Sequence, residues 1–259
     1  MKKLITYVLG GITLLYLASC TTLAMLQQNF LYFPTPEIER TDVEKLRLAN
    51  DGTGINVWKV ASNNSRAIIY FGGNAEPVSR NIDPFRKYLP GYDIYLLNYR
   101  GYGGSDGRPS EGVLYSDALM VFDQLSGDYE KISIVGRSLG SGIATYVASR
   151  REINGLALIT PYDSIENVAR EKFPIFPVSM LLKEKYNSIG RTHLISAPTL
   201  IITAESDGVI SKRRSDALTE SFTQNLLTTA TIEKTTHLTV SRPQRFWEVF
   251  SAFFKIQES

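Results

Sequence analysis

Between Lys131 and Ala148 the chain changes its rule of construction within five residues. Lys131-Ile-Ser-Ile-Val135 is an apolar run rich in β-branched residues and reads as a strand, and Ser141 to Ala148 reads as a helix. Between them stands only Gly136-Arg137-Ser138-Leu139-Gly140. A chain that passes from strand to helix in so few residues must turn sharply. The serine at the turn is left in a strained conformation, and neighbours without a Cβ are needed where backbones crowd. Gly142 extends the same close approach into the helix. The helix N-terminus then directs its partial positive charge at whatever reacts beside the serine. The bare Gly-x-Ser-x-Gly spacing arises by accident in roughly one chain of this length in ten. Its weight here comes from the strand before it and the helix after it.

The remaining pattern says what surrounds this turn. Strands are expected over Ile55–Val60, Arg66–Phe71, Asp93–Tyr99, Gly155–Ile159, Pro198–Thr203 and Thr229–Glu233. Several are nearly continuous apolar runs, such as Ile94-Tyr95-Leu96-Leu97, which suit a parallel sheet covered on both faces. Glu111–Leu125 is a helix with Pro109-Ser110 as its N-cap context. Phe246, Trp247, Phe250, Phe253 and Phe254 lie on one face of a C-terminal helix and read as core packing. Strands alternating with helices give an open, doubly wound α/β sheet. Phe173-Pro-Ile-Phe-Pro177 breaks the rhythm and leads into a short helix over Val178–Tyr186, where a lid or pocket wall is expected, or else a simple surface connection.

A serine hydroxyl is a weak nucleophile until a base takes its proton. The chain holds two histidines, His193 and His237. Where the serine sits on such an elbow, the chain order is serine, acid, histidine. His237 follows the last strand, whereas His193 precedes the strand expected to carry the acid and reads as exposed or capping. Asp207, in the loop after Pro198–Thr203, is placed to accept the imidazole N–H and fix its tautomer, with Glu205 as the alternative. Two backbone N–H groups are needed for the oxyanion: Leu139, the residue after the serine, and Asn74 in Gly72-Gly73-Asn74-Ala75. No Gly-Lys-Ser/Thr follows that glycine pair, so phosphate cradling is the weaker reading.

The N-terminus obeys a different pattern. Lys2 and Lys3 precede a stretch from Leu4 to Pro36 that contains no Asp, Glu, Lys or Arg. Leu4–Leu17 has the length of a signal h-region, of about 7–15 residues, and ends in Leu17-Ala18-Ser19-Cys20, which looks like a bacterial lipobox with Cys20 as the acylated residue. Leu4–Leu26 is also long enough to span a bilayer uncleaved, for which about 20 apolar residues suffice. Residues 1–26 are thus read as signal peptide and lipobox or as membrane anchor, and 27–259 as one catalytic domain. Both readings put the protein on a membrane, and the lipobox reading puts it at the periplasmic face or cell exterior. Cys20 is the single cysteine, so no intrachain disulfide forms. The 28 basic and 26 acidic residues give a net charge of +2, which leaves no electrostatic case for nucleic-acid binding.

Taken with its neighbours, the serine turn resembles that of the membrane-anchored α/β-hydrolase-domain proteins. Phe30-Leu-Tyr-Phe-Pro-Thr-Pro36 is similar to the segment after that family's anchor, Gly73-Asn74-Ala75 to its oxyanion loop, and Asn98-Tyr-Arg-Gly-Tyr-Gly-Gly-Ser105 to its Asp-Tyr-Arg-Gly-Tyr-Gly-x-Ser signature. Phe173–Tyr186 resembles its Pro-rich lid, and Ser138, Asp207 and His237 fall on its triad positions. Gly72, Ala204 and Thr236 depart from the family's usual residues. The resemblance implies the α/β-hydrolase fold and an esterase, lipase or thioesterase that needs no metal or organic cofactor. An acyl ester or thioester is the expected substrate. Acyl transfer or peptidase action through the same acyl-enzyme is the neighbouring alternative, and a non-catalytic membrane-attached binding module is the remaining one. Arg100, in the signature loop, is expected either to shape the pocket or to pair beneath it.

Overall fold

In the computed structural model the described residues are 1–256; Gln257–Ser259, the end of the expected catalytic domain, lie outside them. The chain opens with helix α1 (Lys2–Leu31), followed by β1 (Glu44–Asn50), β2 (Thr53–Val60), β3 (Arg66–Phe71), α2 (Ile82–Tyr88), β4 (Asp93–Leu97), α3 (Glu111–Leu125), β5 (Lys131–Arg137), α4 (Leu139–Ala148) and β6 (Gly155–Ile159). It continues with α5 (Ile165–Lys172), α6 (Val178–Leu181), β7 (Thr199–Ala204), α7 (Lys212–Glu220), β8 (Leu227–Ile232) and α8 (Gln244–Ile256).

The strands form one sheet in the order β1-β2-β4-β3-β5-β6-β7-β8. The β1/β2 and β2/β4 pairs are antiparallel and all the others parallel. Successive side chains on a strand point to opposite faces, and here both faces are covered. Ala67, Ile69 and Phe71 of β3 join a cluster with Leu114 and Val121 of α3 and Ile143 and Val147 of α4. Ile68 and Tyr70 join a second cluster with Phe85 of α2 and Phe246, Phe250 and Phe254 of α8. That explains why the central strands read as unbroken apolar runs. The aromatic stripe of α8 is core, as its spacing suggests: Phe250 stacks near Phe246 and meets Phe254 edge-on, with centroids 5.4 and 5.1 Å away.

Three local expectations differ from the structure. β1 was not expected, because as an edge strand it carries Glu44, Lys45 and Arg47 and is largely exposed, so it lacks an apolar run. The helix expected over Val178–Tyr186 ends at Leu181; Leu182 is extended, and Glu184 and Tyr186, the latter at φ 42°, face inward to hydroxyl contacts with Tyr32. Ser110 precedes α3 in extended backbone, but its side chain does not cap; the Glu184 carboxylate accepts the Glu111 N–H instead.

The parallel arrangement brings the C-terminal ends of β3, β5, β7 and β8 to one edge, the usual location of ligand sites in open α/β sheets. The Phe250→Ala substitution should lower stability by about 3–5 kcal/mol, the usual cost of emptying a buried aromatic position. A denaturant midpoint close to that of the wild type would show that the α8 face is not part of the cooperative core.

Candidate active site

Ser138 sits between β5 and α4 with φ 49° and ψ −116°, a left-handed backbone that a non-glycine residue adopts only under constraint. Its N–H is tied to the Ile159 carbonyl at 2.9 Å and its carbonyl accepts from the Ser141 N–H at 2.9 Å. The flanking glycines are required by contact. A Cβ on Gly136 would stand 2.5 Å from both the Ala144 Cβ and the Gly140 carbonyl oxygen. One on Gly140 would collide with the Phe71 carbonyl and stand 2.6 Å from that of Gly72. Ser138 itself remains partly exposed.

His237 Nε2 lies 2.8 Å from Ser138 Oγ, and His237 Nδ1 lies 2.7 Å from Asp207 Oδ2. The other Asp207 oxygen accepts the N–H groups of Val209 and Ile210, each at 2.9 Å. Burial works against ionisation of Asp207, but the bonds from His237 and the Ile210 and Val209 amides outweigh it and hold its carboxyl below the usual carboxylate range. An ionised Asp207 bound to Nδ1 fixes the tautomer in which Nε2 faces the serine as an acceptor. The arrangement can therefore take a proton from Ser138 Oγ and return it to a leaving group.

The loop after β3 lies against this group: the Cβ position of Gly73 is 3.6 Å from the Ser138 Cβ. Leu139 is the first residue of α4, whose leading N–H groups have no partner within the helix. Asn74 is held by its side chain, which accepts from the Tyr102 hydroxyl (2.8 Å) and the Phe33 N–H (2.9 Å) and donates to the Leu31 carbonyl (2.5 Å). The segment leaving α1 is thereby fastened to the loop that carries Asn74. Tyr99 donates to the Gly72 carbonyl at 2.7 Å.

Beneath these residues lies an ion pair that the sequence patterns did not disclose. Glu76 accepts from Arg137 at 3.0 Å, Tyr70 at 2.8 Å, Asn81 at 2.7 Å and the Gly73 N–H at 2.5 Å. Arg137 also donates to the His237 carbonyl at 3.3 Å. This largely buried pair thus links the Gly73 loop, through Arg137 in the turn before Ser138, to the backbone of His237. Burial pushes the Glu76 carboxyl up, but Arg137 and the donors around it win, so it lies below its ordinary value. Arg137 stands within Gly-Arg-Ser-Leu-Gly and Glu76 directly follows Gly72-Gly73-Asn74-Ala75, so a charged residue in or beside each glycine motif was the available signal.

Other expected residues lie elsewhere. Arg100 forms a two-pronged bond with Asp117 at 2.8 Å and pairs beneath the loop. Glu205 accepts the Lys234 N–H at 2.7 Å instead of a histidine. His193 is exposed. Cys20 lies within α1, which passes through it without interruption, and it is buried. Among the described residues, no three or more His, Cys, Asp or Glu side chains gather so as to hold a metal ion.

Breaking a buried ion pair from one side costs about 3–5 kcal/mol, so Glu76→Gln should lower the thermal midpoint markedly. The pH dependence has a definite sign. A depressed folded-state pKa gives stability that is complete above the unfolded value of about 4.3 and is lost as pH falls through the folded value. Wild type should therefore lose stability below about pH 4 more steeply than Glu76→Gln, as read from melting curves across that range. Parallel acid limbs would remove Glu76 from this role.

A profile of the alpha/beta hydrolase fold matches residues 66–184. An uncharacterized protein of Mycobacterium tuberculosis is 30% identical over 207 residues, 74% of each chain. An uncharacterized membrane protein of Saccharomyces cerevisiae is 30% identical over 226 residues, 78% of this chain and 79% of its own. Among solved structures, a Pyrococcus furiosus esterase superposes with a TM-score of 0.71 at 15% identity, covering 88% of this chain and 98% of its own.

Proposed function

The chain belongs to the alpha/beta-hydrolase fold family, and from that premise we propose that it is a membrane-attached serine hydrolase that cleaves acyl ester or thioester bonds. The observation that carries this reading is the relay of two hydrogen bonds, 2.8 Å from Ser138 Oγ to His237 Nε2 and 2.7 Å from His237 Nδ1 to Asp207. Ser138 Oγ attacks the acyl carbonyl while His237 takes its proton. The N–H groups of Leu139 and Asn74 receive the oxyanion. Collapse of that intermediate breaks the bond to the leaving alcohol or thiol, which leaves with the proton from His237. Water then attacks the acyl-serine, with His237 again taking and returning a proton, and the carboxylic acid departs. Acyl transfer and peptidase action use the same acyl-enzyme and differ in the acceptor or in the bond attacked; the relay also speaks against a purely binding module.

A fluorophosphonate probe should label the wild type and fail on a folded Ser138→Ala variant. An unlabelled, folded wild type would reject the reading. Asp207→Asn should lower turnover roughly 10⁴-fold by holding His237 in the wrong tautomer. A series of p-nitrophenyl esters of increasing chain length, with an acyl-CoA and a phospholipid, would identify the leaving group and the acyl length.

The 30-residue α1 is long and apolar enough to cross a membrane. Tyr16, upstream of Cys20, bonds to the Ile175 carbonyl and stacks on Phe176, and a contact of residues 1–19 with the folded domain favours a retained anchor over the lipobox reading. The expected mature chain keeps residues 1–19 by intact mass and takes up no palmitate. A chain beginning at an acylated Cys20, with labelling lost in Cys20→Ala, would restore the lipoprotein reading.

A further inference from the structure

Tyr16 is the unusual residue of α1. It lies well inside the apolar stretch, yet its hydroxyl donates to the Ile175 carbonyl at 2.8 Å and its ring stacks on Phe176, with centroids 6.0 Å apart and planes within 7°. Further along the helix, Gln27 donates to the Leu181 carbonyl at 3.1 Å and accepts the Lys183 N–H at 2.7 Å. The segment between α5 and Lys183 therefore runs along α1 from Gln27 back to Tyr16, eleven residues or about 16 Å of helix axis.

The chemistry of that segment suits lipid. From Phe173 to Leu182 no residue is charged, and Lys172 and Lys183 bracket the run. Phe173, Ile175 and Met180 are 46%, 71% and 84% exposed. Backbone groups in hydrocarbon must be satisfied internally. Of the eight N–H groups from Phe173 to Leu182, those of Phe173, Phe176, Val178, Met180, Leu181 and Leu182 donate to nearby carbonyls, Pro174 and Pro177 have no N–H, and those of Ile175 and Ser179 have no protein acceptor among the described residues. Tyr16 supplies the donor for the Ile175 carbonyl at the tip. Behind the tip lies an apolar pocket of about 220 Å³, walled by Leu23 and Phe30 of α1 and by Val168, Phe176 and Leu181.

We propose that the Phe173–Met180 turn is a second membrane-inserted element, dipping beside α1 into the acyl layer, and that the pocket behind it admits an acyl chain from that layer. With Leu23 at the interface, Tyr16 and the tip lie about 10 Å deeper along the helix, the depth reached by interfacial elements. Continuity with α1 commits the surface to lipid and not to another protein. The insertion rests on a retained α1; the acyl-chain role rests also on the hydrolase reading.

The test uses the full chain reconstituted in phosphatidylcholine vesicles. Ile175→Trp should add emission that mid-chain-brominated lipid quenches by at least half, while the buried native Trp58 and Trp247 give a weakly quenched background. Unquenched added emission overturns the insertion. An Ile175→Asp, Met180→Asp double variant should hydrolyse a long-chain ester embedded in the vesicles at least tenfold more slowly and soluble p-nitrophenyl acetate at the wild-type rate. Equal rates on the embedded ester, or equal loss on both esters, overturn the acyl-chain role. A wild type that cleaves neither ester rejects the hydrolase reading instead, and the quenching result stands independently of it.

Discussion

The approach of α4 to the end of β3 leaves no room for a side chain. Gly140 lies against the Phe71 and Gly72 carbonyls, and Gly136 against Ala144. This closeness compresses the strand-to-helix connection into a single residue, Ser138, with a left-handed backbone held by Ile159 on one side and Ser141 on the other. Such strain persists only where the surroundings over-determine it. The Gly73 loop lies against the same turn, where a Cβ on Gly73 would stand 3.6 Å from the Ser138 Cβ. The sheet supplies the other side: β7 and β8 are paired in parallel, and the loops that follow them bring Asp207 and His237 to the same edge.

Electrostatics holds these pieces in register. A charge buried without a partner is expensive, and Glu76 and Arg137 avoid that penalty only while the Gly73 loop, the Ser138 turn and the His237 backbone keep their relative places. The carboxylates of Asp207 and Glu76 are both held below their usual range by donors. The site is therefore built for the ionised state of both. Asn74 performs a related task at the other end, joining the Gly73 loop to the residues that leave α1.

Much of this was legible in the sequence because it depends on local pattern. The parallel strands are buried on both faces, so they read as apolar runs, and Arg66–Phe71 and Gly155–Ile159 coincide with β3 and β6. Chain order alone separated His237 from His193. What escaped depends on distant partners. β1 is polar because it lies at the sheet edge, and its pairing with β2 gives no hydrophobic signature. The Glu76–Arg137 pair joins residues 61 positions apart. Glu184 replaces Ser110 as the cap of α3 from 73 positions away. No window of sequence contains both members of such pairs.

The central claim is that the hydroxyl displayed by this strained turn becomes acylated. It is tested most directly by acid-quenching the protein during turnover of a p-nitrophenyl ester and mapping the digested chain by mass. The account requires the acyl mass on the peptide that contains Ser138, formed at the rate of the p-nitrophenol burst. Turnover with no covalent acyl group, or with the acyl group on another residue, would contradict it.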